Sequence, residues 1–251
     1  MPGKKCADIV FLLDASGSMT PCIEGVKRNI EKLVGYFHSD TQNTWDVRLG
    51  FLAHSSWRHL HNLSSIAISG FPLIEAVYKN RGGNTDAFFT PKIDTFKTAL
   101  AAVKTEGDET TLVALDVALD FPWRPAESCH RALIVLTDEA IETGEDVEMQ
   151  KAQLDNLVRK IHRKRIKLFI VAPQSDAFDR LSMADRCEYE VISEQNDGLR
   201  KTDFAQLMDA IGKSVSVSQT SGSADDHPEP LYGQDKWGAG SGTFGTDGHH
   251  S

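Results

Sequence analysis

The run "DIVFLLDASGSM", residues 8–19, constrains the fold more than any other stretch of the chain. Five consecutive apolar residues, Ile9 to Leu13, stand between Asp8 and Asp14. A nearly unbroken apolar run of this length suits a strand buried on both faces of a parallel sheet. Asp14 closes the run, and Ser16 and Ser18 follow with Gly17 between them, where a glycine lets the turn bend tightly. Directly behind, "PCIEGVKRNIEKLVGYF" sets Ile23, Val26, Ile30, Leu33, Val34 and Phe37 at helical spacing. Thr20 is the expected N-cap of that helix and Pro21 its first residue. A second apolar run, "RALIVLTD", ends in Asp138.

The rest of the chain alternates in the same way. "WDVRLGFLAH" (45–54) reads as a strand, and 55–87 as a loop-rich insertion with a short edge strand near Phe88 and Phe89. "TPKIDTFKTALAAVKTEG" predicts a helix ending at Gly107, and "TTLVALDVALDFPW" one starting at Thr110 or Thr111. "EDVEMQKAQLDNLVRKIHRKR" predicts one long amphipathic helix and "IKLFIVAP" a strand. "DAFDRLSMADRC" is a short helix, "EYEVIS" a short strand and "DFAQLMDAIGKSVSVS" the closing helix. The expected class is α/β: a doubly wound, mostly parallel central sheet flanked by helices, with one short antiparallel edge strand. After Gln219 the sequence becomes rich in Gly, Ser and Asp, with few residues able to offset the entropy of ordering. The expected organisation is therefore a domain over 1–218 and a flexible tail over 219–251. Leu231, Tyr232, Trp237 and Phe244 punctuate the tail, as incidental aromatics of a linker or as a short docking motif.

Composition narrows the function classes. Apolar residues are 40% of the 251, enough for a large core, and the formal net charge is −9. An acidic chain is a poor general binder of phosphate backbones, whose affinity comes from Lys and Arg, but it is compatible with a cation site. No apolar run approaches the ~18 residues of a membrane span. The N-terminus reads as a first strand, not as a signal peptide. Cys6, Cys22, Cys129 and Cys187 are scattered, without a C-x-x-C pair. That argues against a disulfide framework or structural zinc, and for a reducing, cytoplasmic setting.

In open α/β sheets, ligands bind outside the carboxyl ends of the strands where strand order reverses. If strands 8–14 and 132–137 are neighbours, Asp14 and Asp138 share one crevice. Ser16 and Ser18 join them from the first turn, and Thr110 and Thr111, with Asp108 and Glu109 near by, from the turn before the third helix. Such a set is all oxygen, which suits a hard divalent cation, magnesium above all. "DASGSM" matches the D-x-S-x-S motif of von Willebrand factor A domains, and the chain resembles that family over roughly residues 6–217. The stretch from "FTPKID" to "FPWR" is most similar to intracellular members, microbial and alpha-kinase-associated. The resemblance implies a metal-ion-dependent adhesion site. Asp14, Ser16 and Ser18 would hold Mg2+ (alternatively Mn2+ or Ca2+), a threonine of the second loop would add to them, and Asp138 would act from the third loop, often through water. The second loop, "EGDETTLVAL", departs from the family's usual T-x-T, so Thr110, Thr111 and Glu109 all stay open as the second-loop ligand.

The implied function is a metal-dependent protein-binding module, an adaptor or scaffold whose cation bridges to an Asp or Glu of a partner protein. Family likeness points to a system built around an AAA+ ATPase or a kinase and phosphatase. Two other readings stand beside it: a magnesium-dependent phosphoryl-transfer enzyme, and a metal-free scaffold in which the hydroxyls only cap helices. For the enzyme, Ser16 occupies the place where a phosphoaspartate hydrolase has its second carboxylate. No G-x-x-x-x-G-K-[ST] loop and no G-x-S-x-G elbow occurs. His54, His59 and His61 lack a nearby acidic or cysteine partner and read as a polar loop, and "RKIHRKR" (159–165) reads as a solvated helix end.

Overall fold

The structure is a computed structural model and describes residues 3–40, 43–56, 59–63, 84–105, 110–144, 146–193 and 199–217. Six strands form its sheet: β1 (Gly3–Asp14), β2 (Asn43–Ser56), β3 (His59–Asn62), β4 (His130–Leu136), β5 (Lys167–Pro173) and β6 (Cys187–Ile192). Their order is β3-β2-β1-β4-β5-β6. Every pairing is parallel except β2 with β3, the antiparallel edge. The chain winds outward from β1 to β2 and β3, then returns to β4 on the other side of β1. Strand order therefore reverses between β1 and β4, the place where an α/β sheet opens a crevice.

The helices are α1 (Thr20–His38), α2 (Ile93–Ala101), α3 (Thr111–Leu119), α4 (Val147–Ala152), α5 (Leu154–Lys164), α6 (Asp176–Ser182) and α7 (Phe204–Val217). Period-two alternation divides each central strand between two cores. Ile9, Phe11 and Leu13 of β1 pack with Ile134 and Leu136 of β4 beneath α1, α2 and α7. Val10 and Leu12 pack with Leu133 and Val135 beneath α3, α5 and α6. Both faces are apolar because both are covered, which is why the sequence shows a continuous run and not alternation. Each such side chain contributes about 1.5–3 kcal/mol by leaving water.

Away from the crevice, the amino-terminal half of β1 buries a carboxylate. Asp8 is fully buried and takes a two-pronged pair from Arg48, at 2.8 and 2.6 Å, together with the Arg124 Nε at 2.9 Å. The Arg124 N–H completes the set at 2.8 Å. Paired and hydrogen-bonded, the buried charge ties β1, β2 and the segment before β4 together.

Four local expectations are corrected. The antiparallel edge strand is β3, whereas residues near Phe88 and Phe89 form a turn with one bridge, Thr90 to Leu49. That turn packs so close to β2 that a Cβ at Gly50 would lie 2.4 Å from the Phe88 carbonyl oxygen, and both phenylalanines go inward onto Phe121. The helix expected to reach Gly107 stops at Ala101, where Ala102 and Val103 close the last turn with tighter bonds to Ala99 and Leu100. No apolar residue in "KTEG" prolongs its buried stripe. The single long helix expected over 145–165 is two, broken at Gln153. Thr20 is not a cap: a 3-10 turn over Gly17–Met19 leads in, Met19 is the capping position, and the Thr20 hydroxyl meets that of Thr105 at 3.1 Å. The tail over 219–251, most of the insertion (64–83), Asp108 and Glu109 lie outside the described residues.

Candidate metal centre

β1 delivers Asp14 to the crevice, and the residues after β4 deliver Thr137 and Asp138 opposite it. Asp14 is fully buried. Its Oδ1 accepts the Ser16 N–H at 2.7 Å, and its Oδ2 accepts the Thr137 hydroxyl at 3.1 Å. The Ser16 and Ser18 hydroxyls are 2.9 Å apart, and the Ser18 Oγ donates to Asp138 Oδ1 at 3.0 Å. An unbroken chain of polar contacts thus runs Thr137–Asp14–Ser16–Ser18–Asp138. Ser16 is buried, while Gly17 and Ser18 are exposed and Asp138 is half-buried, so the cluster opens outward to solvent. The Ala15 N–H donates to the His54 carbonyl at 2.7 Å and fixes the turn to the neighbouring strand.

Thr110 and Thr111 arrive from the other side, at the start of α3. Thr110 occupies the N-cap position, and its carbonyl accepts the first helical bond from the Ala114 N–H at 3.1 Å. A threonine there normally turns its hydroxyl onto the second or third helical N–H. Here the second, that of Leu112, is taken by Gln150 Oε1 at 3.0 Å, from α4. The Thr110 Oγ1 is left fully buried with no hydrogen-bond partner among the described residues. A buried orphan hydroxyl costs roughly 1–3 kcal/mol and calls for an explanation in a water or an ion. Thr111 is the first helical residue and is also buried.

The field of the two carboxylates reaches the core beside them. Burial, then Asp14 and then Asp138, push the Cys22 thiol well above its ordinary range. His54 is the Cα partner of Asp14 across β1 and β2. Burial pushes its imidazole down to about 3, so it is neutral at physiological pH. Both of its ring nitrogens are buried and unpartnered among the described residues.

The structure therefore brings Asp14, Ser16, Ser18 and Asp138 into one contact network and places Thr110 with a spare oxygen at the α3 start. Sequence reasoning missed two contributors. Thr137 was read only as the end of a strand, although a hydroxyl directly before the strand-end aspartate is visible in "LTD". Gln150 acts across 38 residues of sequence and leaves no local signal. The histidines at 54, 59 and 61 form no metal cluster: among the described residues no group of three or more His, Cys, Asp or Glu is arranged to hold a metal ion. His59 and His61 lie on β3 and not in a loop.

The contact network of Asp14, Ser16, Ser18 and Asp138 offers only carboxylate and hydroxyl oxygens, the chemistry a hard divalent cation would take. Hard cations select such oxygen sites, and magnesium keeps several waters when protein ligands are few.

The family model for the von Willebrand factor type A domain matches residues 8–212. Among solved structures, the chain is similar to a von Willebrand factor type A protein from Catenulispora acidiphila. The TM-score is 0.52 at 13% identity, over 82% of this chain and 42% of that one. It is also similar to proximal thread matrix protein 1 from the mussel byssus, at TM-score 0.50 and 14% identity, over 84% of this chain and 46% of that one. The chain spans less than half the length of either, and at these identities the likeness speaks for the fold alone. No curated protein matches the sequence.

Proposed function

The chain belongs to the von Willebrand factor type A family, and with that as premise we propose that it is a metal-dependent protein-binding module. Domains of this family commonly mediate protein–protein interaction and are in general not enzymes. In this reading Asp14, Ser16, Ser18 and Thr110 hold one divalent cation, Mg2+ first, with Mn2+ or Ca2+ as alternatives, and Asp138 contributes through water. Thr111 orders the first turn of α3 and is not itself a ligand. The observation that carries the reading is the Thr110 hydroxyl, buried at the start of α3 without a partner among the described residues, where Gln150 takes the Leu112 N–H that it would ordinarily cap.

When bound, the cation supplies an electrophilic point for an anionic oxygen. The side chains around it are mainly neutral hydroxyls, so a carboxylate from a partner completes both coordination and charge. Asp14, gripped by the Ser16 N–H and the Thr137 hydroxyl, is held in one orientation. Ser18 and Asp138, nearer to solvent, form the rim that a partner's Asp or Glu approaches. A family setting with an AAA+ ATPase or a kinase and phosphatase in the cytoplasm is compatible with this chemistry.

The same side chains also satisfy one another by hydrogen bonds, and that observation favours a metal-free scaffold as the second reading. Calorimetry separates the two. Titration with Mg2+ and Mn2+ should give single-site heats in the wild type and none in Asp14→Ala. Saturation at about 100 times the dissociation constant should add about 2.7 kcal/mol of stability. Equal heats in both proteins would sink the metal reading. If the metal is also the bridge, pull-down from native lysate should lose its partners both with chelator and in the Ser16→Ala/Ser18→Ala double variant.

A further inference from the structure

At the opposite pole of the sheet, the register of β1 against β4 sets Ala7 beside His130. One step earlier, Cys6 and Cys129 are therefore side by side although 123 residues apart. Both are free thiols. The Cys6 Sγ donates to the Ser128 carbonyl at 3.2 Å, one residue before Cys129, and the Cys129 Sγ donates to the His130 carbonyl at 3.5 Å. Neighbouring strands lie about 4.7–4.9 Å apart, inside the roughly 4.4–6.8 Å between Cα atoms that a disulfide tolerates.

The two thiols are unlike in access and surroundings. Cys129 is buried, whereas Cys6 is half-buried and open to a small solute. Burial, with Asp8 and Cys6 beside it, pushes the Cys129 thiol up. The Arg124 guanidinium lies within electrostatic range of both sulfurs. It is clamped there by Asp8 at 2.8 Å and Asp46 at 2.8 Å. The thiolate is the form that reacts with oxidants, and Cys6 is the thiol of the pair that a solute can reach. Cys22 lies in the core beneath the crevice, and Cys187 opens β6, two strands from β4.

We propose that Cys6 and Cys129 form an oxidisable dithiol, a modification site at which a hydroperoxide closes a disulfide between β1 and the segment entering β4. The Cys6 thiolate attacks the peroxide: an S–O bond forms, the O–O bond breaks, and the leaving hydroxide takes a proton to become water. The Cys129 sulfur then gives up its proton and attacks the Cys6 sulfur. The S–S bond forms, the S–O bond breaks, and a second water leaves. Two thiols are oxidised by two electrons and one hydrogen peroxide is reduced to two waters. The half-buried thiol reacts first and the buried one resolves it. The closed loop, residues 6 to 129, contains Asp14, Ser16, Ser18 and Thr110, so oxidation staples the strand that carries the crevice at its far end.

The test uses the full chain, reduced and then freed of reductant. A few equivalents of hydrogen peroxide should lower the titratable thiols under denaturing conditions from four to two. The intact mass should fall by two hydrogens, and peptide mapping should find Cys6 joined to Cys129. Cys22→Ser and Cys187→Ser should keep the cross-link. Cys129→Ser should leave Cys6 as a sulfenic acid that dimedone traps, and Cys6→Ser should leave Cys129 unmodified. Should Cys129→Ser not fold, the wild-type peptide map still decides. Four remaining thiols, or a link other than 6–129, would overturn the proposal. Calorimetry of the reduced protein with Mg2+ is unaffected by either result, so this inference stands or falls apart from the metal reading.

Discussion

Among single residues, Thr110 carries the most information. Its hydroxyl is buried and makes no hydrogen bond among the described residues, so it is a net cost to the fold unless a ligand uses it. Thr110→Val keeps the shape and removes only the oxygen. The expected outcome is a domain as stable as the wild type, or about 1 kcal/mol more stable, with Mg2+ affinity reduced at least tenfold. Thermal melting and calorimetry measure the two sides, and unchanged affinity would remove Thr110 from the ligand set. A second residue, His130, contributes to acid stability beside the buried His54. Burial, then Lys5, and also Arg186, push the His130 imidazole down to about 4, the Val215 carbonyl opposing them. Its ordinary value in the unfolded chain is about 6.5. Below pH 6.5 the unfolded state binds the proton that the folded state refuses, so stability falls with pH until about 4. The loss is about 1.4 kcal/mol per pH unit for a group fully shielded from water, and less here, where the imidazole keeps some contact with solvent. His130→Phe keeps the ring packed on Trp45, 5.1 Å away, and should flatten that part of the profile. An unchanged slope in urea melts between pH 7 and 5 would contradict the assignment.

Secondary-structure elements show where sequence reading succeeds and where it stops. Strands β1, β4 and β5 were legible because burial on both faces leaves only apolar residues, as in "DIVFLL" and "LIVL". Asp14 and Asp138 were legible because each breaks such a run. The break at Gln153 was not, since "EDVEMQKAQLDNLVRKIHRKR" keeps helical periodicity through it. What decides it is tertiary: α4 turns so that Gln150, buried among apolar neighbours, reaches the Leu112 N–H of α3. For the same reason Thr110 and Thr111 looked like interchangeable caps. The helix start is capped from another helix, and no pattern within ten residues records that. Gln150→Ala should therefore act at a distance. The Leu112 N–H loses its partner, the Thr110 hydroxyl turns to it in the ordinary capping manner, and the crevice loses an oxygen. The expectation is weaker Mg2+ binding, with a loss in stability that reflects only the shortened side chain because the Leu112 N–H regains a partner, whereas Gln150→Glu, which keeps the acceptor, restores the binding. Calorimetry on the pair checks it. Full affinity in Gln150→Ala would mean that α4 only packs.

Across the whole molecule, the two ends of the sheet do different work. At the carboxyl end, strand order reverses between β1 and β4, and the residues that follow these two strands meet there. At the amino end the Asp8–Arg48–Arg124 network and the anchoring of α7 hold the strands in register. Lys167, at the start of β5, bonds the Ser214 hydroxyl of α7, and Ser214 donates to Glu188 of β6 at 2.6 Å. α7 packs along α1, with Leu207, Met208, Ile211 and Val215 in the first core. The last of these core residues is Val215, three before the boundary expected from composition at 218. A chain cut after Ser218 keeps every core residue and every anchor of α7 found among the described residues. Its melting temperature should equal that of the full chain within the change that about 0.5 kcal/mol produces, the scale of substitutions that touch no packed feature. Its Mg2+ titration should be superimposable, because every proposed ligand lies between 14 and 138. A cut after Lys213 removes Ser214 and Val215 and exposes the start of β5, so it should unfold or lose several kcal/mol. Paired thermal melts of the two truncations place the boundary of the domain. A large drop already at 218 would mean that residues beyond it pack on the domain and that the unit is longer than its core.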